Sequence, residues 1–182
     1  MDLTAFVILS PGFEEIEAIT VTDILRRIQA KAVLVALNDN LAVMGAHGMV
    51  LMAEETLPRA NLNRGQILVL PGGMPGVEKM LESEALLAQV ESHHQQGKCL
   101  AAVCAAPLVL DRLGILSPGG FTCHPSVWPR LKTQGVQDVP AMIRESVVTG
   151  RSAGCAMAWS LALVEHCLGH VPENLLAGLR LP

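Results

Sequence analysis

Short, almost unbroken apolar runs recur along this chain, each stopped by a sharp turn and followed by a helix-patterned stretch. Leu3 to Leu9 ends at Ser10-Pro11-Gly12, Gln66 to Leu70 at Pro71-Gly72-Gly73, and Cys99 to Val103 at Cys104-Ala105-Ala106-Pro107. A strand that is apolar at every position must be covered on both faces. That requirement selects a parallel sheet sandwiched between helices.

The remaining pattern agrees. Helices are expected over Glu14 to Ile28, from a Ser83 cap to Gln96, over Ala105 to Leu113 and over Ala153 to Leu168. Further strands are expected at Ala32 to Leu37, Phe121-Thr122 and Ser146 to Thr149. A hairpin of Val43-Met44 with Met49 to Ala53 turns around Gly45 to Gly48, and a short helix lies near Ser126 to Lys132. Neither a repeat nor a linker is visible, so residues 1–182 read as one doubly wound α/β domain. Ligands of such sheets bind beyond the carboxyl ends of the strands, where the strand order reverses.

Composition narrows the function. A formal net charge of −4 does not suit a phosphate-binding surface, which argues against nucleic acid. The longest apolar stretch, Ala153 to Val164, is too short to span a bilayer, and no basic leader precedes the first strand. Cys99, Cys104, Cys123, Cys155 and Cys167 contain no C-x-x-C pair, so neither zinc nor a disulfide framework is expected. Free thiols fit a reducing cytoplasm.

Two residues stand out. Glu17, Val21, Ile24 and Ile28 share one helical stripe, with Asp23, Arg26 and Arg27 opposite, so a carboxyl falls on the core face. Such a group must be paired or protonated. A plain first-turn acid favouring the helix dipole explains Glu14 and Glu15 better than Glu17. Cys104 sits at a strand-to-helix elbow between small residues, where a side chain is lifted above the sheet and a helix N-terminus favours a thiolate. The competing reading is an inert buried cysteine, which also serves for Cys99, Cys155 and Cys167. Gly72 and Gly73 offer backbone N–H groups for an oxyanion. His124 is a candidate base, or else an ordinary loop histidine.

Pro11-Gly12-Phe13-Glu14-Glu15-Ile16-Glu17-Ala18, Leu70-Pro71-Gly72-Gly73, Ala102-Val103-Cys104-Ala105-Ala106-Pro107 and His124-Pro125, in that order, resemble the ThiJ/PfpI superfamily. Within it they are most similar to the branch of the parkinsonism-associated deglycase and bacterial YajL-like proteins. The resemblance implies a flavodoxin-like three-layer α/β/α sandwich, a homodimer and no cofactor. It implies Cys104 as the reactive thiol, a protonated Glu17 beside it, His124 nearby, and donors from the backbone of Gly72, Gly73 and Ala105. A pocket around Glu14, His47 and Arg151 is also implied, although His47 stands where relatives often carry Arg.

The implied activity is cofactor-independent deglycase or glyoxalase chemistry on glyoxal, methylglyoxal or their protein and nucleotide adducts. The alternative is a redox-sensing stress protein or chaperone that uses Cys104 oxidation without turnover. Peptidase branches place His directly after the elbow cysteine; Ala105 there argues against peptidase activity.

Overall fold

The computed structural model describes residues 3–180. In chain order the elements are β1 (Thr4–Leu9), α1 (Glu15–Arg27), β2 (Lys31–Ala36), β3 (Ala42–Met44), β4 (Val50–Met52), β5 (Glu55–Thr56), β6 (Ile67–Leu70), α2 (Met74–Glu82), α3 (Glu84–Gln95), β7 (Cys99–Val103), α4 (Pro107–Arg112), β8 (Ala141–Arg144), β9 (Val147–Gly150), α5 (Ala156–Leu168) and α6 (Glu173–Leu179).

Seven strands form one sheet in the order β5-β2-β1-β6-β7-β9-β8, and β3 pairs with β4 separately. Every pairing in the large sheet is parallel except β8 with β9. The order reverses at β1, whose two neighbours are β2 and β6. Successive strand residues point to opposite faces. Phe6, Ile8, Leu68, Leu70, Leu100 and Ala102 pack with residues of α2, α3 and α4. Ala5, Val7, Ile67, Val69, Ala101 and Val103 face α1 and α5. The flavodoxin-like sandwich follows from this two-sided burial.

Several expected elements need correction. Phe121 and Thr122 are not a strand: Thr122 N–H donates to Thr149 Oγ1 at 2.9 Å, and Phe121 accepts from Gln137 N–H. The sheet edge there is completed instead by β8. The expected Ala105 helix begins two residues later, at Pro107. The short helix near Ser126 is a 3-10 helix, Pro125–Arg130.

Helix α2 was not expected because it begins in Gly73-Met74-Pro75-Gly76 with no side-chain cap, although Pro75 in its first turn is a helix-start residue. Its Gly76 lies against the first loop, where a Cβ would come 3.0 Å from Phe13 N. Ser83 caps α3 as expected, accepting from Leu86 N–H at 3.3 Å.

His93, in the last turn of α3, is fully buried, and neither ring nitrogen has a partner among the described residues. Burial, helped by the Lys98 charge, lowers its pKa below the usual histidine value. The unfolded chain therefore takes up the proton first. The stability of the neutral form is intact above about pH 6.5 and is lost as pH falls toward the lowered folded pKa. Urea unfolding should show wild type weakening from pH 7 to pH 5 by about 1.4 kcal/mol per unit of depression, and His93→Leu should flatten that slope.

Candidate active site

Three strand ends meet at the reversal point. The loop after β1 and the loop after β6 touch backbone to backbone: Glu14 N–H donates to Gly72 O at 3.0 Å. Gly73 has φ +87°, and a Cβ there would lie 2.4 Å from Gly12 O. No side chain fits between these loops, so glycine is required.

Cys104 follows β7 with φ 62°, a left-handed conformation that a non-glycine residue adopts at a cost of about 1–3 kcal/mol. Its N–H donates to Gly150 O and its carbonyl accepts from His124 N–H, both at 2.9 Å. Neighbouring backbones thus pin the elbow from both sides. The turn is tight because Ala102, Ala105 and Ala106 bring no bulk and are buried.

Glu17 arrives from α1 and is fully buried. One carboxyl oxygen, Oε2, accepts from Gly72 N–H at 2.6 Å, whereas Oε1 has no hydrogen-bond partner among the described residues. The Cys104 side chain lies close by, and each of the two groups shifts the pKa of the other. A Cβ on Gly72 would lie 2.7 Å from both Cys104 Cβ and Glu17 Oε2, which fixes how closely the three meet.

Burial raises the Glu17 pKa to about 7, with the Gly72 bond opposing and the Glu14 charge assisting. Burial also pushes the Cys104 thiol up to about 12, helped by the Glu17 charge, while the Ala105 and Gly73 amides pull it down. These effects work against the expected thiolate. Desolvation and the neighbouring carboxylate outweigh a helix that starts only at Pro107. Near neutral pH the pair holds a thiol next to a carboxyl poised to exchange its proton.

The other predicted residues divide. Gly73 and Ala105 direct their amides at the sulfur, but the Gly72 amide is committed to Glu17 and is not free for an oxyanion. His124 is tied to Cys104 through its backbone only. Its ring caps the 3-10 helix, with Nδ1 2.8 Å from Ser126 Oγ, and makes no hydrogen bond to Cys104 or Glu17. Arg151 pairs with Asp138 at 2.7 Å.

Glu14 caps α1 by accepting from Glu17 N–H at 2.9 Å. His47 joins Glu15: Nδ1 lies 2.8 Å from Oε2, and the His47 N–H donates to Oε1 at 2.7 Å. Burial alone would raise the Glu15 pKa, but these bonds hold it below the usual value.

Glu15 was missed as a structural anchor. It looks like an ordinary helix-start acid, yet it is buried and ties the turn of the β3–β4 hairpin to α1. The only sequence hint is Gly45, where a Cβ would sit against its carboxylate. Glu14, Glu15 and His47 form the one cluster among the described residues with metal-ligand spacing. Their oxygens already accept hydrogen bonds within the protein.

A buried carboxyl set against a cysteine on a strained elbow, at the switch point of a parallel sheet, defines this α/β protein's candidate site. The chain belongs to the DJ-1/PfpI family, whose family model matches residues 4–166. It is 33% identical over 171 residues to Protein dj-1beta of Drosophila melanogaster, covering 93% of this chain and 91% of that protein. To the glutathione-independent glyoxalase DJR-1.2 of Caenorhabditis elegans it is 30% identical over 176 residues, covering 95% and 93%. The chain spans only 37% of the length of Protein DJ-1 homolog B of Arabidopsis thaliana, 31% identical over 162 residues and 88% of this chain. The crystal structure of Drosophila melanogaster DJ-1beta superposes with a TM-score of 0.94 at 31% identity, covering 100% of both chains.

The site's electrostatics oppose folding above neutral pH. Glu17 has a raised folded pKa, so its contribution is fully present below about pH 4.5 and is lost as pH rises through about 7. Glu17→Gln should therefore unfold at higher urea than wild type at pH 8, by up to about 3 kcal/mol, with the difference shrinking toward pH 5.

Proposed function

We propose that the protein is a cysteine-dependent, cofactor-independent glyoxalase-type enzyme acting on methylglyoxal, glyoxal or their protein and nucleotide adducts. The observation that carries this reading is the Glu17–Cys104 pair, with a carboxyl pKa near 7 beside the thiol. A base poised at neutral pH transfers protons most effectively. The similarity to a glutathione-independent glyoxalase supports it.

In this reading Glu17 takes the thiol proton as sulfur bonds the aldehyde carbon. The carbonyl electron pair moves onto oxygen, which is held by the Gly73 and Ala105 amides. Glu17 then returns the thiol proton to an oxygen of the hemithioacetal, removes the hydrogen of the sulfur-bearing carbon as a proton and delivers it to the adjacent carbonyl carbon. The oxygen of that adjacent carbon becomes the hydroxyl as the first oxygen re-forms a carbonyl, leaving a thioester of a 2-hydroxy acid. Water cleaves the thioester and restores the thiol. The sum is methylglyoxal plus water giving lactate. For an adduct, the amine or thiol departs as leaving group.

The wild-type protein should consume methylglyoxal without added glutathione or metal and release lactate, followed by NMR. Cys104→Ala should abolish turnover, and Glu17→Gln should lower kcat about 100-fold or more. Turnover that survives either change refutes the mechanism. No aldehyde loss, together with oxygen addition at Cys104 under peroxide, would favour the redox-sensing alternative.

Two copies are proposed to pair through the apolar patch beside the site. Ile16 and Ile19 of α1 and Met44, Val50 and Met52 of the hairpin are all exposed, and a patch of this kind marks an interface. Association along it would shield the Glu15–His47 anchor. Ile16→Glu together with Met52→Glu should shift the sedimentation coefficient from dimer to monomer; an unchanged value discards the surface.

A further inference from the structure

The sulfur chemistry of this fold is not confined to the switch-point crevice. Cys99 opens β7 and Cys104 follows its end, so the two thiols lie at opposite ends of the sheet, about 17 Å apart along the strand. Helix α5 packs on β7 and brings Cys167, in its last turn, to the Cys99 end. Both side chains belong to the same apolar cluster. Both also line one open cleft of about 370 Å³, together with Gln66, Lys98 and His166. Cys99 is 8% exposed, whereas Cys167 is half-buried and reachable from the cleft.

We propose that Cys99 and Cys167 form a second oxidisable site, in which a hydroperoxide converts the two thiols into a disulfide. The two thiols play different parts. They influence one another: the Cys167 side chain and burial raise the Cys99 pKa, whereas the Cys99 side chain lowers that of Cys167 against its own burial. The neighbouring Cys99 acts against burial and the unfavourable carbonyl end of α5. Cys167 is thus the attacking sulfur and Cys99 the resolving one.

The Cys167 thiolate attacks one peroxide oxygen, the O–O bond breaks, and the departing hydroxide takes up a proton to become water. Cys99, losing its proton, then attacks the sulfenic sulfur; the S–S bond forms, the S–O bond breaks, and a second water leaves. Two thiols are oxidised and one hydroperoxide is reduced, with no other reactant. The site does not depend on the aldehyde chemistry at Cys104.

The test uses the full chain carrying Cys104→Ala, so that oxidation at the elbow contributes nothing. Graded hydrogen peroxide should remove two hydrogen masses from the intact protein and protect Cys99 and Cys167 together from alkylation. Peptide mapping should give a single cross-linked Cys99–Cys167 pair that dithiothreitol reverses. In Cys99→Ser, Cys167 should instead gain oxygen. Both thiols remaining alkylatable, or oxygen added at Cys167 while Cys99 stays free in the intact pair, overturns the proposal. Far-UV circular dichroism of each protein before oxidation establishes that it is folded, so that alkylation reports on the native site.

Discussion

Everything at the crevice depends on the Glu17 carboxyl being buried beside the loops that follow β1 and β6. Its single amide partner, Gly72, compensates only part of the lost hydration. The raised carboxyl pKa is the result. The same desolvation acts on Cys104, so neither group can be understood alone. The proton belongs to the pair, and its position sets the state of the sulfur.

Backbone placement supports this pairing. The left-handed Cys104 and the positive φ of Gly12 and Gly73 all belong to strand-end turns around the crevice. Such conformations are stable only where surrounding contacts hold them. Here the hydrogen bonds of Cys104 to Gly150 and His124, and the direct contact of two loops, supply that hold. The helix layers on either face keep the strand ends in register and so fix where these turns meet.

Much of this was legible in the sequence for a physical reason: local patterns carry local constraints. The apolar runs gave the buried strands, and the Glu17–Val21–Ile24 stripe placed a carboxyl on the core side of α1. Small residues around Cys104 gave the elbow. Non-local facts were not legible. Helix α2 starts among residues typical of a turn, and only contact with the Gly12 loop explains its glycine. Nothing near Glu15 in the sequence shows that it reaches the turn after β3. The His124 ring is directed by Ser126 rather than by the thiol. The thiol's acidity depended on weighing desolvation against a helix end, a balance set by three-dimensional packing.

Helix α1 carries two buried carboxyls two positions apart with opposite proton preferences. Glu15, ringed by donors, stays charged, while Glu17, with one, inclines to neutrality. The charged member grips the small two-stranded flap and the other addresses the sulfur. The rim and the floor of the crevice are therefore bolted to one rigid rod. Sequence drift in the flap can thus proceed without disturbing how the sulfur is poised, as long as the rod itself stays in place.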